Sequence, residues 1–180
     1  MDTKFDFRDG KGPVPAHKHP KGGGWVADTA YVSETAYVGP NAKVYGYARV
    51  YDDARVFGNA RVSGNAKVHG EAMVYDDAKV HGNAKVSGRA HVSGDARVSG
   101  RAMVSGSAHV SRYARVSGYA RFSGYALVFD DAWVFGYAWV FGNAWVYVND
   151  VVAGEGGKGV KRLYAFARKL FKLKGQDNGY

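Results

Sequence analysis

Along most of the chain, small or branched apolar residues alternate with polar or bulky ones on a six-residue beat. From Gly23 to Val148 the unit is x-Ala-x-Val-x-Gly, repeated 21 times over 126 residues without insertion or deletion. Position two is alanine in every unit except the first, which has Gly24. Position four is valine in every unit except one, which has Phe122. Position six is mostly glycine; the departures are Asp28, Glu34, Pro40, Asp52, Asp76, Arg112, Asp130 and Val148. An α-helix cannot carry this pattern, because a six-residue period drifts around a turn of about 3.6 residues and glycine would recur throughout. Strand side chains alternate between faces. The pattern therefore predicts short strands with the valine and alanine inside, positions three and five outside, and a turn at position six.

These units resemble the hexapeptide repeat of left-handed parallel β-helix proteins, in which three hexads make one triangular coil. Val38-Gly39-Pro40-Asn41-Ala42-Lys43 fits that family's usual form, an aliphatic residue and a small one followed by two free positions, a small one and a free one. Most later units, such as Val62-Ser63-Gly64-Asn65-Ala66-Lys67, move the glycine one place on, a variant common in uncharacterised bacterial and phage-encoded proteins. The resemblance covers about 70% of the chain. It implies an all-β fold, a left-handed parallel β-helix of about seven triangular coils, and an exception to the right-handed crossover rule. At a strand spacing of about 4.8 Å such a prism is roughly 34 Å tall. Open ends would expose unpaired strand edges, so residues 1–22 are expected to cap one end of the repeat (23–148). Beyond it, 149–159 reads as a Gly-rich hinge and 160–174 as a basic amphipathic helix. Val160, Leu163, Tyr164, Ala167, Leu170 and Phe171 fall at helical spacing there.

With three hexads to a coil, residues 18 apart stack on one face. Position three then gives three columns. The first reads Trp25, Lys43, Arg61, Lys79, Arg97, Arg115, Trp133. The second reads Tyr31, Arg49, Lys67, Lys85, Met103, Arg121, Trp139. The third reads Tyr37, Arg55, Met73, His91, His109, Leu127, Trp145. The cations of the first two columns are the candidate ligand-binding residues, because like charges at strand spacing repel unless an anion neutralises them. Asp52, Asp53, Asp76, Asp77 and Asp95 are expected to serve as partial counter-ions at the corners. The third face, with Met73, His91, His109 and Leu127, is poor in charge and is the candidate contact between protomers; the family's members are typically trimers. Trp133, Trp139 and Trp145 form an outward collar on the last coil, which also needs a cover. The basic helix over 160–174, from the same or a neighbouring protomer, is the expected cover, which makes the three tryptophans candidate interface residues too; an acidic membrane surface is the helix's alternative partner.

Charge and composition narrow the function. Lys and Arg number 25 against 16 Asp and Glu, a net charge of +9. That suits nucleic acid, a nucleotide or another polyanion. The chain has no cysteine, which excludes disulfides, thiolate-held metals and a cysteine nucleophile. No stretch approaches the roughly 18 apolar residues of a membrane span, and the N-terminus lacks a signal-peptide core, so the expected location is cytoplasmic. Nothing matches a P-loop, a dinucleotide fingerprint or a nucleophile elbow. Threonines are too few for an ice-binding array.

The resemblance also brings enzymes into view. Acyltransferases of the hexapeptide family place a catalytic histidine on or beside a loop extruded from the coils, and these hexads extrude none. The γ-class carbonic anhydrases hold zinc with three histidines, two of them five residues apart. No pair among His17, His19, His69, His81, His91 and His109 has that separation. The expectation is a non-enzymatic homotrimer, without catalytic residue, metal or cofactor, that captures an anionic, phosphate-bearing ligand on its basic faces or between protomers. A phage accessory or host-interaction role would fit the resemblance. The alternatives are an acyltransferase using coenzyme A and a purely structural spacer.

Overall fold

A computed structural model describes residues 3–147 and 151–154. It is an all-β parallel solenoid of about seven turns. After β1 (Lys4–Phe5) and β2 (Val14–Lys18), each hexad contributes one short strand, from β3 (Trp25–Ala27) to β23 (Trp145–Val146), and β24 is Val151–Gly154. Every third strand pairs in parallel, which produces three sheets. The register sets Lys43 against Arg61, Lys67 against Lys85 and His91 against His109, so the three columns of position three are the three faces.

The hexad explains this economy. From Ala36 to Ala138, every alanine at position two and every Val or Phe at position four is at most 1% exposed. Two small inward residues per hexad permit a narrow prism filled by stacked methyl groups. Two or three backbone amides per hexad bond the next coil, as in Arg61 N to Ala78 O at 2.9 Å, Ser63 N to Val80 O at 2.9 Å and Asn65 N to Gly82 O at 2.8 Å. Stability therefore builds coil by coil through nearest-neighbour contacts.

Position six is the corner, and its backbone is left-handed. Gly64 has φ +66° and Gly106 φ +67°, and the four non-glycine corners Asp52, Asp76, Arg112 and Asp130 lie at φ 57–58°. L-residues resist this region, which is why glycine dominates. Asp28, Glu34 and Pro40 stand outside it; proline's fixed negative φ forbids it. Corners also stack closely, since a Cβ at Gly106 would meet Gly124 N at 2.8 Å. Two aspartates turn this crowding to use. Asp52 accepts a bond from Gly70 N at 3.0 Å and Asp76 one from Gly94 N at 3.1 Å. These carboxylates serve the backbone of the coil above, rather than acting only as counter-ions to the cation columns.

The N-terminal segment caps one end as a hairpin. β1 pairs antiparallel with β2, and β2 antiparallel with β3, so the first parallel edge is closed. A Cβ at Gly22 would collide with Val38 O. His19, 3% exposed, places Nδ1 3.2 Å from Lys21 O and Nε2 3.2 Å from Ser33 O. The segment also lies over the outside of the first face. Phe5 stacks on Trp25 with centroids 4.3 Å apart, and buried Phe7 stacks on Tyr45 at 4.9 Å. At the other end, Val151–Gly154 falls within the stretch read as a hinge, yet pairs in parallel with Trp133–Gly136. Val152 and Gly154 hold positions four and six of a further hexad whose second position is Asp150 rather than alanine, so the first sheet gains one strand beyond the 21 units. The helix expected over 160–174 lies outside the described residues.

Candidate functional site

The nine candidate cations sit at outward positions on two faces, and none makes an ion pair among the described residues. What separates the faces is position one, the residue just after each corner. On the first face it supplies Asn41, Asn59, Asp77, Asp95 and Asp131. The first four stand beside Lys43, Arg61 and Lys79 around a polar depression of about 270 Å³. Asn59 Nδ2 donates to Asp77 Oδ1 at 3.2 Å. An anion arriving there meets carboxylates as well as cations. Each unfavourable contact at 4 Å is worth about 1 kcal/mol in water and more where water is thinned.

The first face is also partly occupied by its own cap. The Lys43 ammonium lies 5.1 Å from the Phe5 ring centroid. Its pKa is lowered, first by loss of water and then by the charges of Arg61 and Arg8. Further along, burial lowers the pKa of His81, and Arg97 and Lys79 lower it further. The first column is thus a cationic strip whose near end is covered and whose middle is lined by acids.

The second face lacks those acids. Positions one, three and five hold Arg49, Lys67, Lys85, Arg101 and Arg121 and no Asp or Glu. Position five runs Ser87, Ser105, Ser123 and then Phe141, giving a low floor between the cations and the last coil. Lys85, Met103, Arg121 and Trp139 stand in register on successive strands. Together these two rows line a groove of about 520 Å³. Aromatic rings bracket the strip. Arg49 lies 5.6 Å from the Tyr31 centroid and 5.8 Å from that of Tyr51, and Arg121 lies 5.2 Å from the Trp139 ring. Beside the strip, Arg101 packs on Tyr119 at 5.4 Å and donates to its hydroxyl at 3.0 Å.

The third face carries rings in a stack. Phe57 lies on Tyr75 at 5.0 Å, Tyr75 meets His91 edge-on at 6.2 Å, and His91 and His109 are 4.5 Å apart. Burial, then His109, lowers the His91 pKa. Met73 and Leu127 continue the column on either side. Trp133, Trp139 and Trp145 do form a collar, 46%, 46% and 50% exposed. Trp133 packs on Phe135 at 5.0 Å. Among the described residues no three His, Cys, Asp or Glu are grouped to hold a metal ion. By sequence the two cation columns look alike. The signal that distinguishes them was present in position one, but it carries weight only once positions one and three are known to share a face.

Stacked hexads, buried Val and Ala columns and left-handed corners define a β-solenoid repeat protein. Within that class, the chain is similar to the YdcK beta solenoid repeat, whose family model matches residues 48–63, 54–70 and 96–112. Neither a curated protein nor a solved structure gives a match.

Proposed function

We propose that the chain is a non-enzymatic binding protein of the left-handed hexapeptide-repeat type, and that its second face captures an anionic, phosphate-bearing ligand. The observation that carries this is the charge pattern. Arg49, Lys67, Lys85, Arg101 and Arg121 share a face without a carboxylate at positions one, three or five, whereas the first face interleaves Asp77, Asp95 and Asp131 with its cations. Rigidity supports the reading, because a solenoid sheet holds its charges at fixed spacing and loses little conformational entropy on binding. In the same reading the third face, with Met73, His91, His109 and Leu127, is where copies pack into a homotrimer.

The test is binding to inorganic polyphosphate at 50 and 200 mM NaCl. Lys67→Glu with Lys85→Glu should abolish retention, while Arg61→Glu with Arg97→Glu on the first face should weaken it only slightly. Equal losses from the two pairs, or no binding at the lower salt, would overturn the assignment. Counterion release sets the scale. With the coefficient of a single-stranded nucleic acid taken as the guide for a linear polyanion, five neutralised phosphates give a log–log salt slope near −3.5, or about a hundredfold over that fourfold salt change.

A further inference from the structure

Resting on that reading, we infer that the ligand of the second face is single-stranded nucleic acid, with one base seated on Trp139 and Phe141 and the adjoining phosphates against Arg121 and Lys85. The groove is amphipathic along its length. Its C-terminal end offers the Trp139 and Phe141 rings, 46% and 44% exposed. One strand away Arg121 holds its guanidinium 5.2 Å from the Trp139 centroid, and Lys85 follows two strands further. A flat π-surface and a cation one strand apart match the alternation of base and phosphate in a nucleotide chain, and stacking of this kind tolerates any base.

Beyond the groove, at the other end of the same face, Arg49 lies near the Tyr31 and Tyr51 rings, with Tyr51 stacked on His69 at 4.8 Å. From Arg49 to Arg121 is four strand steps, about 19 Å at 4.8 Å each. Lys67 and Lys85 lie between the two aromatic ends, where only phosphates need be met. A duplex keeps its bases stacked on one another and would leave both aromatic ends unused. A polyphosphate or sulfated chain has no flat ring for them. A lipid anion would need a continuous apolar track, whereas here Met103 is flanked by Lys85 and Arg121 and faces the serine row.

The experiment compares two probes on the same full-length protein: fluorescein-labelled dT12, read by anisotropy, and inorganic polyphosphate. Trp139→Ala and Phe141→Ala should each weaken dT12 roughly five- to hundredfold, the range for losing a base-stacking ring. Polyphosphate affinity should stay within twofold. Trp145→Ala, a collar residue on the third face, should change neither and controls for damage to the last coil. If polyphosphate binds and dT12 does not, or if both probes lose affinity equally in Trp139→Ala, the nucleic-acid assignment is overturned while anion binding stands. If neither probe responds to Lys67→Glu with Lys85→Glu, the anion reading itself falls.

Discussion

The corner glycines allow a quantitative test of how the coils stack. Gly106 has φ +67°, and a Cβ added there would lie 2.8 Å from Gly124 N and 3.0 Å from Gly124 O. Gly106→Ala places an L-residue in the left-handed region, at about 1–2 kcal/mol. It also forces the next corner to shift, an overpacking cost of about 1–3 kcal/mol. Lower entropy of the unfolded chain offsets about 0.4–1 kcal/mol, leaving a net loss of roughly 2–3 kcal/mol. Gly106→Asp has the same backbone and the same Cβ, yet should be less damaging. Asp52 and Asp76 show why, since each accepts the amide of the corner one coil on, and an aspartate at 106 would reach Gly124 N in the same way. One such bond is worth about 1 kcal/mol. At roughly 3 °C per kcal/mol for a chain of this size, thermal unfolding followed by circular dichroism should rank the wild type first. Asp should follow, and Ala should melt about 3 °C below Asp. If Ala melts at or above Asp, the carboxylate-to-corner bond is not what makes non-glycine corners tolerable.

Three other outcomes are expected. Arg112→Gly should raise the melting temperature by a few degrees, because Arg112 sits at φ 57° and its ion pair with Asp130 is at an exposed side chain; unchanged melting would show that corner strain is relieved elsewhere. Phe7→Ala should cost about 3 kcal/mol and raise hydrogen exchange in Val14–Lys18 and Trp25–Ala27 while leaving coils beyond Arg97 protected, as nearest-neighbour stacking requires; uniform loss of protection would refute local capping. Burial keeps His81 and His91 below the ordinary histidine pKa of 6.5. The folded chain therefore binds fewer protons than the unfolded chain as pH falls past that value. Stability should be full above it and decline toward pH 5, and the double variant His81→Asn, His91→Asn should flatten the profile.

The repeat was legible because its information is periodic. A six-residue beat with two small inward residues fixes which side chains face the core, and stacking at 18 then fixes the columns, down to Lys67 beside Lys85 and His91 beside His109. The corners were legible as turns, though not the use Asp52 and Asp76 make of them, because a carboxylate's partner one coil away is invisible to a local reading. The N-terminal segment has no period. Its fold over Trp25 and Tyr45 depends on Phe5 and Phe7 meeting particular rings, and sequence alone gives such pairs no register. Val151–Gly154 was missed because Asp150 stands where the hexad has alanine, although Val152 and Gly154 keep its register and continue the first sheet. The contrast between the two basic faces lay in the sequence throughout, as Asp77 and Asp95 against Asn65 and Asn83. It became meaningful when geometry placed those residues beside the cations.

The 18-residue register has a consequence for how such a gene can change. Adding or losing one hexad would keep every valine inside and every corner turning, so the fold would survive. Every residue downstream would nevertheless move to the next face. A single hexad inserted after Gly64 would carry Lys85, Arg121 and Trp139 off the second face and leave Arg49 behind on it. Length variation in steps of six residues thus keeps the core and corners in place, but only whole turns of 18 keep the surface pattern. Duplications that preserve a binding strip must come in phase, whereas out-of-phase ones shuffle the three faces and present a new surface on an unchanged core.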